Sequence, residues 1–299
     1  MKNTIDFCDG LAAVTERYDA FLIDQWGVLH DGRAPYAGAV DCLRRLVDAG
    51  KSVILISNSG RRAVESEQRL NRLGIPATCY SHLVTSGEIA WRMLAAGEGF
   101  CGALVGTRCA LFASDRMSHF ADGLPIILSR PEAADFILLT GMDDTRPIAD
   151  YERLVELGAL RELPLVCANP DLARITPAGL KPGAGAIAAH YAARGGVVHY
   201  VGKPHRAIYA YCLGLLTGQS VGRTLAVGDS LHHDIAGGAA AGVDTLLVMN
   251  GVHAGELPLD ASQEALIAGM RRLVGEGGEA GVLPDWAVPS FRWSPDVVA

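Results

Sequence analysis

The sequence predicts an α/β protein built on a parallel sheet, and three observations lead there. Short apolar runs such as Ala20-Phe21-Leu22-Ile23 and Val53-Ile54-Leu55-Ile56 lack polar alternation and are bounded by turn residues, as suits strands covered on both faces. Segments of helical periodicity separate these runs, so strand and helix alternate along the chain. Several runs end on a polar residue, Asp24, Ser57 and Asp229 among them, where open α/β sheets gather their ligands.

In order, the Ala20–Ile23 strand ends at Asp24 and a Gly27 turn. Tyr36 to Gly50 places Val40, Leu43, Leu46 and Val47 on one helical face and stops at Ala49-Gly50. Strand Val53–Ile56 leads into Ser57-Asn58-Ser59-Gly60. A helical pattern with Val64, Leu70 and Leu73 runs to the Gly74-Ile75-Pro76 break, and a third strand spans His82 to Thr85. From Gly87 onwards a second α/β block is expected. Its helices are Glu88–Ala96 and Pro147–Glu162, and its strands Ala103–Gly106, Ile126–Leu128, Phe136–Thr140 and Leu165–Ala168. Gly179 to Gly185, with Pro182, reads as a link back. The first pattern then resumes: helix Ala184–Arg194, strand Val197–Val201, helix Ala207–Leu216, strand Thr224–Val227, a short helix from Asp234 and strand Thr245–Met249. The Gly- and Pro-rich tail is expected to pack Trp286 or Trp293 onto the core. The domain bounds that follow are 1–86 and 179–299 for a core and 87–178 for an inserted domain.

Composition narrows the function. The 299 residues are 49% hydrophobic and 20% charged, enough for a sizeable core. A net charge of −7 without a basic run argues against nucleic acid held through phosphates. The longest apolar stretches fall far short of the roughly 20 residues a membrane helix needs. The N-terminal stretch lacks the apolar core of a signal peptide. Seven scattered cysteines without a CxxC pair fit reduced thiols in a cytoplasmic protein.

Four constellations carry candidate chemistry. Asp24, at a buried strand's carboxyl end, is costly unless a cation meets it, which makes it a candidate nucleophile or metal ligand. Ser57-Asn58-Ser59 would turn N–H groups and hydroxyls towards an anion, although ordinary N-capping explains them equally well. Lys203, in Val201-Gly202-Lys203-Pro204, follows a further strand; a lone Lys-Pro is more often a solvated loop. Asp229 and Asp234, five apart at a strand-to-helix turn, suit Mg²⁺, while turn chemistry alone also favours both. Together the four would meet at one crevice of a doubly wound sheet. Gly183-Ala184-Gly185-Ala186-Ile187-Ala188 fits a loose dinucleotide fingerprint, but Pro182 precedes it rather than a strand. His232-His233 could suggest a softer metal, but Mg²⁺ on the neighbouring carboxylates and ordinary exposed loop histidines explain the pair more simply.

As a set, Asp24 with Gly27, Ser57 with Asn58, Lys203, and Asp229 with Asp234 resemble the motifs of the haloacid dehalogenase superfamily. The insert resembles the α/β cap of its subclass IIA, the NagD-like phosphatases. So do Asn169-Pro170-Asp171 and Tyr200-Val201-Gly202-Lys203-Pro204. The resemblance implies a Rossmann-like core with an inserted cap, and hydrolysis of a small phosphate ester (sugar phosphate, nucleotide, aryl or acyl phosphate) through an aspartyl-phosphate on Asp24. Ser57 and Lys203 would hold the phosphoryl oxygens, with Gly27, Asn58, Ser59 and Asn169 as further phosphate or substrate contacts. Mg²⁺ would be held by Asp24, Asp229 and the Trp26 carbonyl, with Asp234 orienting the metal shell. Asp143, Asp144, Arg146, Asn169, Asp171 and Arg174 are polar cap candidates, and a homodimer through the cap is compatible with the likeness.

The chain departs from the pattern at one position: Trp26 stands where the family carries a second Asp, the group that protonates the leaving oxygen. His30 or Asp31 could partly replace that Asp, though both are common turn residues. Two other readings therefore stand beside the phosphatase: a phosphate- or metabolite-binding homologue that has lost turnover, and a hydrolase of another bond such as a dehalogenase.

Overall fold

A computed structural model describes residues 4–114, 119–143, 145–176, 179–216, 223–276 and 281–294. Its strands are β1 (Asp6–Phe7), β2 (Ala20–Asp24), β3 (Ser52–Ser57), β4 (His82–Thr85), β5 (Arg108–Phe112), β6 (Ile127–Leu128), β7 (Phe136–Leu139), β8 (Leu165–Cys167), β9 (Ala173–Thr176), β10 (Gly179–Pro182), β11 (Val198–Tyr200), β12 (Thr224–Gly228), β13 (Asp244–Val248) and β14 (Trp286–Val288). The α-helices are α1 (Ala39–Asp48), α2 (Ala63–Arg72), α3 (Ser86–Ala96), α4 (Ile148–Leu160), α5 (Ala184–Ala193), α6 (Arg206–Gly214), α7 (Ala236–Ala240) and α8 (Gln263–Glu276). The chain divides into two units, one of residues 1–57, 67–84 and 209–299, the other of 58–66 and 85–208.

The first unit holds a seven-stranded sheet in the order β1-β14-β13-β12-β2-β3-β4. β2 pairs in parallel with β3 on one side and with β12 on the other. The chain steps outward from β2 through β3 and β4, then returns to β12 and steps outward the other way. The order thus reverses between β2 and β12, and such a reversal opens a crevice at the carboxyl ends of the two strands. Alternate residues supply opposite faces: Phe21, Ile23, Val53, Leu55, Leu225 and Val227 join one core with Leu43 and Leu46 of α1. Leu247 and Ala287 face another with Leu266 and Met270 of α8. In α1 the buried positions Ala39, Cys42, Leu43 and Leu46 follow helical spacing, and each fully buried leucine contributes about 1.5–3 kcal/mol.

The second unit holds a five-stranded sheet, β11-β8-β7-β5-β6, whose pairs are parallel. Ile137, Leu139, Leu165 and Cys167 pack there against Leu154 and Val155 of α4 and Ile187, Ala188 and Tyr191 of α5. Thr85 caps α3 by accepting the Glu88 N–H at 3.0 Å, and Gly97 ends it at φ +64°.

Three expectations are corrected. Residues 103–106 form no strand: Gly99–Leu104 is a 3₁₀ turn, Gly106 takes φ +75°, and the strand begins at Arg108, whose N–H donates to Asp135. The 197–201 strand does not resume the first sheet; β11 pairs with β8 because Val198, His199 and Tyr200 align with Leu165, Val166 and Cys167. Lys203 therefore follows a strand of the second unit. The expected link at 179–185 instead begins with β10, antiparallel to β9. The tail packs onto the core as expected: it supplies α8 and β14, and Trp286 of β14 is buried, its indole N–H donating to the Tyr18 hydroxyl at 2.8 Å. Among the described residues no helix is long and apolar enough to cross a membrane.

Candidate active site

Asp24 closes β2, opposite Ile56 of β3. The β2–β12 register runs Val227 opposite Ile23, so Asp229 emerges one residue beyond Asp24's level on the neighbouring strand. Ser57 likewise lies one residue past Ile56. Parallel pairing thus gathers at one sheet edge residues more than two hundred positions apart in the chain. Asp24, Asp229 and Asp234 are all buried and offer oxygens within 4.8 Å of one another.

Backbone contacts hold these carboxylates. Val252 N–H donates to Asp229 Oδ2 at 2.7 Å. A Cβ on Gly27 would lie 1.9 Å from the same oxygen, and one on Gly251 would lie 2.2 Å from it. Two glycine backbones therefore press on that carboxylate, and Gly27, at φ +82°, also holds a conformation that L side chains resist. Asp234 Oδ2 accepts the Ser230 N–H at 3.1 Å across the single π-helical turn Leu231–Ile235, and Ser230 Oγ caps that turn by accepting the His233 N–H. A Cβ on Gly228 would meet Asp234 Cγ at 2.0 Å. Three carboxylates this close repel one another, by about 3 kcal/mol per ionised pair at an effective dielectric near 20. A divalent cation removes that repulsion, and an all-oxygen donor set of this kind fits a hard ion such as Mg²⁺.

A second cluster belongs to the other unit. Asn58, Asp171 and Lys203 are joined by hydrogen bonds, and Asn169 Oδ1 accepts the Asp171 N–H at 3.1 Å. Lys203 is 3% exposed. Ser59 Oγ accepts the Arg61 N–H at 3.4 Å, and the Ser59 carbonyl accepts the Gly87 N–H. Of the polar candidates in this unit, Arg146 stacks its guanidinium on Phe112, Asp143 holds the Thr145 N–H and hydroxyl, and Asp144 lies outside the described residues.

Trp26 is 37% exposed. Its ring meets His30 edge-on at 5.6 Å, lies 5.8 Å from the Arg69 guanidinium and covers the Gly32 backbone so closely that a Cβ there would be 2.3 Å from the indole. His30 and Asp31 both serve the turn beneath it. Asp31 Oδ1 accepts the Arg33 and Ala34 N–H groups at 2.8 Å, which hold its carboxyl below the usual range. His30 is buried, its Nδ1 accepts the Gly32 N–H at 3.0 Å, and burial together with the Arg69 charge pulls its pKa down to about 4. At neutral pH the first is ionised and the second uncharged, so neither holds a proton poised for transfer.

His30 makes a testable contribution to stability. Unfolded, it binds a proton near pH 6.5; folded, only near pH 4. Between those values the unfolded chain binds more protons, so stability falls as pH drops through that window, by up to about 3 kcal/mol at 1.36 kcal/mol per pKa unit. Urea unfolding from pH 7 to pH 4 should show a steeper loss for the native chain than for His30→Asn, whose side-chain oxygen can still accept the Gly32 N–H. Parallel curves would remove His30 from the acid sensitivity.

Sequence reasoning missed Gly251 and Val252, which grip Asp229. Their only local signal is the Asn250-Gly251 turn that follows β13. It also missed Gly32 and Arg69 as neighbours of Trp26.

Residues 21–124 match the model of a haloacid dehalogenase-like hydrolase family, and residues 200–268 match a HAD-hydrolase-like family. The chain is 31% identical to a D-glycerol 3-phosphate phosphatase of Mycobacterium tuberculosis over 81% of its own length and 66% of that protein's. It is 30% identical to the 5'-nucleotidase YutF of Bacillus subtilis, over 79% of this chain and 88% of that one. Among solved structures, a haloacid dehalogenase-like hydrolase from Brucella suis superposes with a TM-score of 0.78 at 30% identity, covering 95% and 99% of the two chains. A glycerol phosphate phosphatase from Mycobacterium tuberculosis, in complex with magnesium, superposes at 0.65 with 27% identity, covering 83% and 73%.

Proposed function

The chain belongs to the haloacid dehalogenase superfamily as a phosphatase-type hydrolase, and from that premise we propose that it hydrolyses small phosphate monoesters through an aspartyl-phosphate on Asp24, with Mg²⁺ as cofactor. The carrying observation is the buried triad Asp24, Asp229 and Asp234 at the carboxyl ends of adjacent strands, where the sheet order reverses.

In this reading Asp24 attacks phosphorus, the ester oxygen departs, and water then cleaves the acyl phosphate to return Asp24 and inorganic phosphate. Asp24, Asp229 and the Trp26 carbonyl would hold Mg²⁺, with Asp234 orienting its shell. When bound, the ion neutralises phosphate charge and lets an anionic nucleophile approach an anionic ester. Ser57, one residue beyond the β3 partner of Asp24, donates a hydrogen bond from its hydroxyl to a phosphoryl oxygen. Lys203 supplies the positive charge that offsets repulsion between Asp24 and the substrate. Gly27 leaves room for the Asp229 carboxylate. We assign the 87–178 segment, with β11 added to its sheet, as the cap that selects among substrates. Its seven cysteines are free thiols, six of them buried, a usage that suits a cytoplasmic setting.

Trp26 favours one competing reading, a homologue that binds phosphate without turning it over. A panel of aryl, acyl, sugar and nucleotide phosphates, assayed with EDTA and then with excess Mg²⁺, separates the two. Phosphate release that EDTA abolishes and Mg²⁺ restores is the expected result. Saturable binding of inorganic phosphate with no release from any ester would replace this proposal with the binding homologue.

A further inference from the structure

Asn58 follows directly on β3 and is 5% exposed. A carboxamide offers two donors and an oxygen with two lone pairs, and here nearly all of that capacity is spent. Its Oδ1 accepts the Lys203 N–H at 2.7 Å, while its Nδ2 donates to the Lys203 carbonyl at 3.1 Å and to Asp171 Oδ1 at 2.8 Å. Pairing with both backbone groups of one residue fixes that residue's backbone in the way a strand partner does. The carboxamide could make this pair only with its nitrogen on the carbonyl side, and the Asp171 carboxylate, which cannot donate when ionised, holds it that way round.

The rest of the loop is clamped as tightly. Ser86 Oγ donates to the Val201 carbonyl at 2.6 Å. Gly202, at φ +141°, brings its Cα so close that a Cβ would lie 2.1 Å from Ser86 Oγ, 2.8 Å from Asn58 Oδ1 and 2.9 Å from Pro170 Cδ. These contacts constrain the loop's backbone, and Asn58 bonds both backbone groups of its functional residue.

We propose that Asn58 is a positioning residue for Lys203: the hydrogen-bonded chain from Asp171 through Asn58 to the Lys203 backbone fixes the stem from which the Lys203 ammonium projects, and Asn58 acts on the phosphoryl group only through that lysine. This rests on the reading of Lys203 as a phosphoryl-binding group.

A charge exchange tests it. Asn58→Asp sets two carboxylates against each other and a carboxylate oxygen against the Lys203 carbonyl. It should lower kcat/KM for p-nitrophenyl phosphate in saturating Mg²⁺ by about 10²-fold, the cost of misplacing a catalytic group by an ångström. Adding Asp171→Asn restores a donor between positions 58 and 171 and should recover at least about tenfold of that loss, again by re-alignment. A direct phosphate contact predicts otherwise, since a carboxylate at position 58 would repel the substrate whatever stands at 171. Absence of recovery in the folded double variant, or near-native activity in Asn58→Asp alone, overturns the proposal. Hydrogen exchange of the Lys203 amide gives a readout without turnover: Asn58→Ala should speed it relative to the native chain, and unchanged exchange also overturns the proposal. If the native chain cleaves no phosphate ester, the reading of function fails, and the exchange result alone decides the positioning.

Discussion

Asp24→Asn should abolish turnover while leaving the chain folded. The carboxamide matches the carboxylate in size, and position 24 is only 7% exposed, so a change of shape there would be felt and a change of charge alone need not be. Replacing the charge also relieves repulsion from Asp229 and Asp234, whose oxygens lie within 4.8 Å, so apo stability should hold or rise. Chemistry has no such relief. An amide is a poor nucleophile towards phosphorus and a weak ligand for a hard divalent ion. The expected loss in kcat is on the order of 10⁴ or more, the range seen when a covalent nucleophile is removed. Thermal melting and kcat measured side by side check both halves. A folded variant with near-native kcat would remove Asp24 from the chemistry.

Leaving-group dependence carries the next largest effect. Trp26 stands two residues after the proposed nucleophile, and its indole N–H donates hydrogen bonds without acting as an acid near neutral pH. The nearby alternatives are committed elsewhere: Asp31 holds the Arg33 and Ala34 N–H groups, and His30 is neutral with Nδ1 on the Gly32 N–H. Absence of a general acid typically costs about 10²–10⁴ in rate. The cost should fall on sugar and alkyl phosphates, whose alkoxides leave badly unprotonated, and largely spare aryl and acyl phosphates. Values of kcat/KM across esters of graded leaving-group pKa should therefore fall steeply as that pKa rises. Trp26→Asp should flatten the slope and raise the alkyl rates. The indole leans on Gly32 and His30 at the chain's surface rather than filling a core, so its removal leaves no buried cavity. Equal native rates on alkyl and aryl esters, with chemistry limiting, would mean that another acid serves the site.

How legible all this was in the sequence depended on range. β2, β3 and β12 could be read because a strand buried on both faces must be apolar at every position, whatever its neighbours. Asp24, Asp229 and Asp234 could be gathered because parallel strands put their carboxyl ends on one edge. Strand order was a different matter. β11 is three half-buried residues, and nothing local says that it joins β8 rather than the first sheet. β1 and β14, two and three residues long, carry too little pattern to stand out from a tail. The grip of Gly251 and Val252 on Asp229 and the bonds from Asn58 to Lys203 and Asp171 escaped for the same reason: they join loops distant in sequence, and a loop residue shows its partner only when the fold does.

The most direct measurement is the covalent state of Asp24 during turnover. Acid-quenching the native chain in mid-reaction with p-nitrophenyl phosphate and Mg²⁺, then mapping its peptides by mass spectrometry, should find a phosphoryl group on the peptide that carries Asp24. That label should be labile to hydroxylamine, as an acyl phosphate is, and absent from Asp24→Asn. Steady release of phosphate with no label on that peptide under rapid quench, or with the label on another residue, would contradict the account.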